Sequence, residues 1–152
     1  DWSSDVCSSD LAFSAFAATH PLGIPRRDRV EIRYVAGADF DKRSLTCIAG
    51  LPQGGMTMFM RGDSDSVRAA TQTAIREACE GLAGAAPIGM LLFDCVARRS
   101  VLEDAAMQGE FEGVRDWLNE TPVAGFYTYG EIARTQGAGG FHNQTLVALA
   151  LA

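Results

Sequence analysis

The sequence predicts an α/β or α+β fold. A mixed β-sheet in the order βββαβαββ carries two main helices packed on it. Three observations predict this. Val67, Thr71, Ala74, Ile75, Ala78 and Leu82 recur at the helical period. Ile88 to Val96 is a short, nearly continuous apolar run, as in a strand buried on both faces. Short apolar runs separated by turn residues flank these segments on both sides. At 152 residues the chain is long enough for one domain with a real core.

Residues 12–29 read as irregular, because Pro21, Gly23 and Pro25 interrupt any period. Val30 to Ala36 is a predicted strand, with Val30, Ile32 and Tyr34 alternating against Glu31, Arg33 and Val35. A polar turn over 38–44 leads to a second strand, Leu45 to Ala49. Leu51-Pro-Gln-Gly-Gly55 is turn chemistry, and Met56 to Met60 is a third strand. Short connections predict an antiparallel meander.

Asp63 or Ser64 caps a helix that runs to about Leu82, closed by Gly84 and Pro87. The strand 88–96 follows. Ser100-Val-Leu-Glu103 reads as a capping box opening the second helix. Met107, Phe111, Val114 and Leu118 form its core face, and Glu110, Glu112, Arg115 and Asp116 its solvated face. After Pro122, Val123 to Ile132 is a strand, Gly137-Ala-Gly-Gly140 a glycine loop, and Asn143 to Leu151 the last strand.

Composition excludes several classes. The formal net charge of −6 disfavours nucleic acid and anionic membranes as partners. Twelve of the thirteen basic residues are arginine, which fits a GC-rich genome better than a phosphate site. Residues 1–11 read as a translated sequencing adapter rather than native protein, as in a metagenomic fragment. Setting Asp1, Asp5 and Asp10 aside changes the charge from −6 to −3. Without Cys7, the scattered Cys47, Cys79 and Cys95 show no metal-ligand or disulfide spacing, and a reducing cytosol is expected. The eight apolar residues 11–18 are too short for a transmembrane helix and lack the basic start of a signal peptide.

The polar residues of the last thirty positions carry the functional reading. Alternation from Val123 places Gly125, Tyr127, Tyr129 and Glu131 on one face, as two phenols ending in a carboxylate. Such a face suits a small polar ligand with an apolar part. The competing reading is a core strand whose tyrosines bond to backbone. Asn143 and Thr145 share one face of the final strand, and His142 and Gln144 the other. Pairing of that strand with the Tyr127 strand would bring His142 or Asn143 near Glu131. Cys95 and Arg98 sit where a strand gives way to a helix, the usual ligand edge of an α/β sheet. Arg98 suits a carboxylate, and with the helix N-terminus it would activate the Cys95 thiol. The alternative makes Cys95 a buried small hydrophobe and pairs Arg98 with Glu103 or Asp104.

Five segments together resemble the C-terminal domain of the FIST family. They are His20-Pro-Leu-Gly-Ile24, Leu51-Pro-Gln-Gly54, Leu91-Leu-Phe-Asp-Cys-Val-Ala-Arg98, Gly125-Phe-Tyr-Thr-Tyr-Gly-Glu-Ile132 and Phe141-His-Asn-Gln-Thr-Leu-Val147. The fourth is the most specific, and the resemblance covers about residue 13 to the end. It makes residues 12–152 a FIST C-terminal-like domain whose N-terminal FIST partner domain is missing. Asp94 stands where the family often has a small residue, and Ala97 where it often has glycine; both would narrow a pocket near Cys95.

The resemblance implies a sensory module of a cytoplasmic, bacterial signalling protein, not an enzyme. It would take a small ligand, with amino acids as candidates, and would work beside a signalling output domain. The ligand-binding residues expected from pattern and resemblance together are Cys95, Arg98, Tyr127, Tyr129, Glu131, His142, Asn143 and Thr145. Arg98 would hold an anionic group and Glu131 an amine. No metal or resident cofactor is expected, and no membrane insertion. Three alternatives remain: a haem-based nitric oxide sensor using His142, a protein-interaction scaffold, and an enzyme with Cys95 as nucleophile.

Overall fold

The computed structural model describes residues 10–26, 29–102, 104–135 and 138–152. The chain packs as two compact units, Asp1–Gly62 and Asp63–Ala152. Both contain helix and strand, and the three-stranded sheet of the second is mixed, in line with the α/β expectation. No helix among the described residues is long and apolar enough to cross a membrane.

The first unit contains α1 (Asp10–Thr19), β1 (Leu22–Pro25), β2 (Val30–Arg33), β3 (Val35–Asp39), β4 (Ser44–Cys47) and β5 (Met58–Phe59). The stretch expected to be irregular is thus a helix followed by a strand. The reason is positional: Pro21, Gly23 and Pro25 all follow Thr19, so they end a run of alanine, leucine and phenylalanine instead of breaking it. β1 is central in the sheet β2–β1–β5, antiparallel to both neighbours. β3 and β4 form a separate hairpin. The expected meander is therefore corrected: β5 pairs with β1, not with β4.

The predicted strand 30–36 divides at Tyr34, and its inward face is inverted. Glu31 and Arg33 are buried, while Val30 is exposed. Burial is tolerated because Glu31 accepts from Arg26 at 2.9 Å, Arg29 at 3.3 Å and Arg33 at 3.2 Å. Ala17, Leu22 and Val35 form the small core beside this cluster, with Phe13 and Cys47 packed on it.

The second unit contains α2 (Ser64–Glu80), β6 (Gly89–Cys95), the short α3 (Val96–Arg99), α4 (Asp104–Leu118), β7 (Val123–Thr128), β8 (Glu131–Thr135), β9 (Ala138–His142) and β10 (Leu146–Leu151). Asp63 caps α2 as expected: its Oδ1 accepts from Ser66 N at 2.9 Å, and Ser66 Oγ accepts from Asp63 N at 2.8 Å. α4 begins at Asp104. Ser100 is the C-cap of α3, and Glu103, the other half of the expected capping box, lies outside the described residues.

β6 is the middle strand of β10–β6–β7, parallel to β7 and antiparallel to β10. Alternation turns Met90, Leu92 and Asp94 to one face, and the helices cover that face alone. Ile75 of α2, Met90 of β6, and Val114 and Leu118 of α4 form the core, joined by Leu92, Val123, Ala148 and Ala150. Burial on both faces of β6 was expected; instead Leu91, Leu92 and Phe93 are only half-buried.

The predicted strand 123–132 is two strands, broken at Tyr129-Gly130. Gly130 has φ 155°, and a Cβ there would strike the Phe141 ring, so the turn requires glycine. The predicted last strand begins later, at Leu146, because Gln144 at φ 53° interrupts the extended chain. Most of the predicted glycine loop belongs to β9, which pairs with β8 through backbone groups and needs no side chain there; Gly137 lies outside the described residues.

Candidate functional site

The C-terminal end of β6 feeds two neighbouring clusters. The first is a buried ion-pair node. Arg98, 2% exposed, lies on α3 four residues past Asp94 of β6. Its Nη1 donates to Asp94 Oδ1 at 2.5 Å, and its Nη2 to Glu110 Oε1 at 2.5 Å, Thr71 Oγ1 at 2.6 Å and Val67 O at 3.2 Å. Thr71 also donates to Glu110. Burial pulls the Arg98 guanidinium toward deprotonation, but the Asp94 and Glu110 carboxylates outweigh it and hold its pKa above the ordinary value. Arg98 therefore spends these donors inside the protein, and its carboxylate partners among the described residues are Asp94 and Glu110 rather than Asp104; Glu103 lies outside the described residues.

Glu110 was expected in solvent. It lies one turn before Val114 and two before Leu118, on the stripe that faces the sheet. Its side chain is 10% exposed. The neighbouring Glu112, Arg115 and Asp116 are exposed, as the sequence predicts.

A cleft of about 340 Å³ opens beside this node, between α4 and the sheet. Met107 and Phe111 of α4 form one wall, and Leu92, Gly125 and Tyr127 line the other side. Gly125 stands opposite Leu92, and Tyr127 opposite Asp94. A Cβ at Gly125 would collide with the Leu92 carbonyl, so only glycine fits where β6 and β7 approach. The Tyr127 hydroxyl donates to Met107 Sδ at 3.2 Å, and the Arg99 guanidinium lies 5.8 Å from the Tyr127 ring centroid. Asp94 and Glu110 supply the charge in the lining. Burial pushes the Asp94 carboxyl up; Arg98 opposes this, while Glu110 and Glu131 reinforce it.

The second cluster joins the ends of β7, β8, β9 and β10. Glu131, 3% exposed, accepts from the Thr128 hydroxyl and from Thr145 Oγ1 at 2.7 Å. His142 stands opposite Glu131 in the β8–β9 register, and its Nε2 lies 3.3 Å from Ala133 O. Asn143 is fully buried and donates to His142 O at 3.1 Å. Cys95 is 1% exposed, and its N–H donates to Thr145 O at 3.0 Å. Burial pushes the Cys95 thiol up, partly offset by backbone hydrogen bonds from Ala97, Gln144 and Thr145. The activation expected from Arg98 and the helix N-terminus is thus reversed: α3 has only four residues and Arg98 is neutralised by its partners.

The eight residues singled out in sequence therefore separate. Arg98 and Tyr127 border the cleft region. Cys95, Glu131, His142, Asn143 and Thr145 form the second cluster. Tyr129, at 83% exposure, belongs to neither. Glu131 does not share a face with Tyr127, because the turn at Gly130 redirects the chain. The proximity of His142 to Glu131 arises from β8–β9 pairing, and the last strand pairs with β6 instead of the Tyr127 strand. Thr71, Asp94, Met107, Glu110 and Phe111 were missed as site residues. The i, i+4 relation of Glu110 to Val114 was the available signal; the Thr71 contact joins residues 39 apart and had none. Among the described residues, no group of three histidine, cysteine or acidic side chains is arranged to hold a metal ion.

No curated protein and no solved structure matches the chain. The family model of the FIST C domain matches residues 4–134, across the boundary of the two units. FIST C domains are sensory domains of signal transduction. With most of its length matched by that model, the chain belongs to the FIST C domain family.

Proposed function

We propose that this chain is the small-ligand-binding part of a cytoplasmic signalling protein, and that the ligand sits in the cleft between α4 and β7. It works as a binding module, not an enzyme, beside an N-terminal FIST domain and an output domain. The observation that carries this reading is the cleft itself. Its volume of about 340 Å³ falls in the range of small-molecule sites, and apolar and aromatic side chains meet two carboxylates within it. Met107, Phe111 and Tyr127 would pack on the apolar body of the ligand, an amino-acid side chain among the candidates. Glu131, Asn143 and Thr145, expected in sequence to touch ligand, would instead hold the turn that positions Tyr127.

The test is calorimetric titration with phenylalanine, phenylalaninamide, phenethylamine, 2-phenylethanol and 3-phenylpropionate. Phe111 is exposed at the cleft wall on α4, so Phe111→Ala removes an aromatic wall at little cost to folding. At least one probe is expected to bind, with at least a tenfold loss in Phe111→Ala. Binding of none, or binding untouched by the alanine, would reject the reading.

A second reading is a protein-binding scaffold. It draws on Phe126, Tyr129 and Ile132, which are 65%, 83% and 85% exposed on and after β7. It predicts that Ile132→Ser impairs signalling while Phe111→Ala does not.

A further inference from the structure

We infer that the cleft selects a ligand with a cationic amine on an apolar body, and discriminates against carboxylates, including the carboxylate of a free amino acid. This rests on the cleft being the ligand site. It reverses the polarity that Arg98 suggests in sequence.

The argument begins with charge. The node joins one guanidinium, Arg98, to two carboxylates, Asp94 and Glu110. With both carboxylates ionised it carries one surplus negative charge. Arg98 is 2% exposed and withdrawn beneath its partners, whereas Asp94 and Glu110 are part of the cleft lining and Arg98 is not. The ligand therefore meets the acidic side of the node.

The hydrogen bonds point the same way. Arg98 engages Asp94 through Oδ1 and Glu110 through Oε1. Among the described residues neither Asp94 Oδ2 nor Glu110 Oε2 receives a hydrogen bond. An ammonium group supplies the missing donors, and a carboxylate supplies none.

Among the described residues, no lysine or arginine lines the cleft. Arg99 rests against the Tyr127 ring outside the lining, and the remaining walls are apolar or neutral. An anion entering here would face two carboxylates whose shared counter-charge, Arg98, lies behind them. A zwitterion would gain at its amine and lose at its carboxylate. The groups acting on Asp94 are Arg98 from α3, Glu110 from α4 and Glu131 from β8; two of the three carry negative charge. A bound amine adds the second cation that this set lacks and favours the ionised form of Asp94.

The five aromatic probes differ in charge on a similar apolar body, so their order is the test. Phenethylamine and phenylalaninamide are expected to bind at least tenfold more tightly than phenylalanine, and 3-phenylpropionate most weakly. Asp94→Asn keeps an oxygen for Arg98 but removes the surplus charge. It should cut phenethylamine affinity at least tenfold while leaving 2-phenylethanol within about twofold. In the wild type, phenethylamine affinity should fall as pH drops from 7 toward 4, with 2-phenylethanol unchanged. Equal affinity for phenethylamine and 2-phenylethanol, both weakened in Phe111→Ala, would overturn charge selection and leave the ligand-binding reading standing. Tighter binding of 3-phenylpropionate would do the same. Binding of no probe would overturn both.

Discussion

Arg98 shows how little a lone residue type says about its task. An arginine at the mouth of an α/β sheet is equipped to hold an anion, but two carboxylates of its own chain reach it first. A buried ion pair adds little net stability when complete, because desolvation offsets attraction; removing one member strands the others at a cost of about 3–5 kcal/mol. Arg98→Met should therefore destabilise the second unit by roughly that amount, read as a lowered urea midpoint. Adding Asp94→Asn and Glu110→Gln should recover at least half of the loss, since the buried charges then leave together. A triple variant no more stable than Arg98→Met would show that the arginine stabilises by packing and not by neutralising Asp94 and Glu110. Partners of this kind are legible in sequence only when they are near neighbours along the chain. Asp94 and Arg98, four residues apart, were within reach of such reasoning; Thr71, from another helix, was not.

At the scale of elements, the sequence was most legible where period and caps agreed. α2 starts at Asp63's cap and buries Thr71 and Ile75 from the predicted stripe, and β6 lies inside the predicted apolar run. It was least legible where a single backbone angle decided the course. Read by alternation alone, 123–132 is one strand. Gly130 at φ 155° makes it two and sends Glu131 inward to Thr128 and Thr145. The glycine was visible; the ring of Phe141 standing over it, which fixes the turn, was not. Gly130→Ala combines a backbone region costing about 1–3 kcal/mol for a side-chain-bearing residue with a clash against that ring. A loss of at least about 2 kcal/mol in denaturant unfolding is expected. Phe141→Ala in the same chain should relieve the clash but not the backbone strain, so the two changes should be non-additive. Simple additivity, or a Gly130→Ala chain as stable as wild type, would contradict this account of the turn.

At the scale of the whole molecule, each unit sets an acidic side chain against arginine, and the two respond to pH with opposite sign. In the first unit the Arg26 hydrogen bond holds Glu31 below its ordinary pKa of 4.5; burial opposes this, and the charges of Arg26, Arg33 and Arg29 reinforce it. Its stabilising effect is complete above pH 4.5 and is lost as pH falls through the lower folded-state value. In the second unit burial raises Asp94 above its ordinary 3.8, against the pull of Arg98 and with the help of Glu110 and Glu131. The folded state then holds that proton more tightly than the unfolded chain, so stability rises as pH falls through the raised value toward 3.8. As pH falls from neutrality toward 3.8, β6 and α2 should gain protection in hydrogen exchange corrected for intrinsic rates, while β2 stays level down to about pH 4.5. Below that, β2 should lose protection. Asp94→Asn should remove the first change and Glu31→Gln the second, each leaving the other intact. Parallel loss of protection in β2 and β6 from pH 7 to 5 would show that neither carboxylate governs the acid response of its unit.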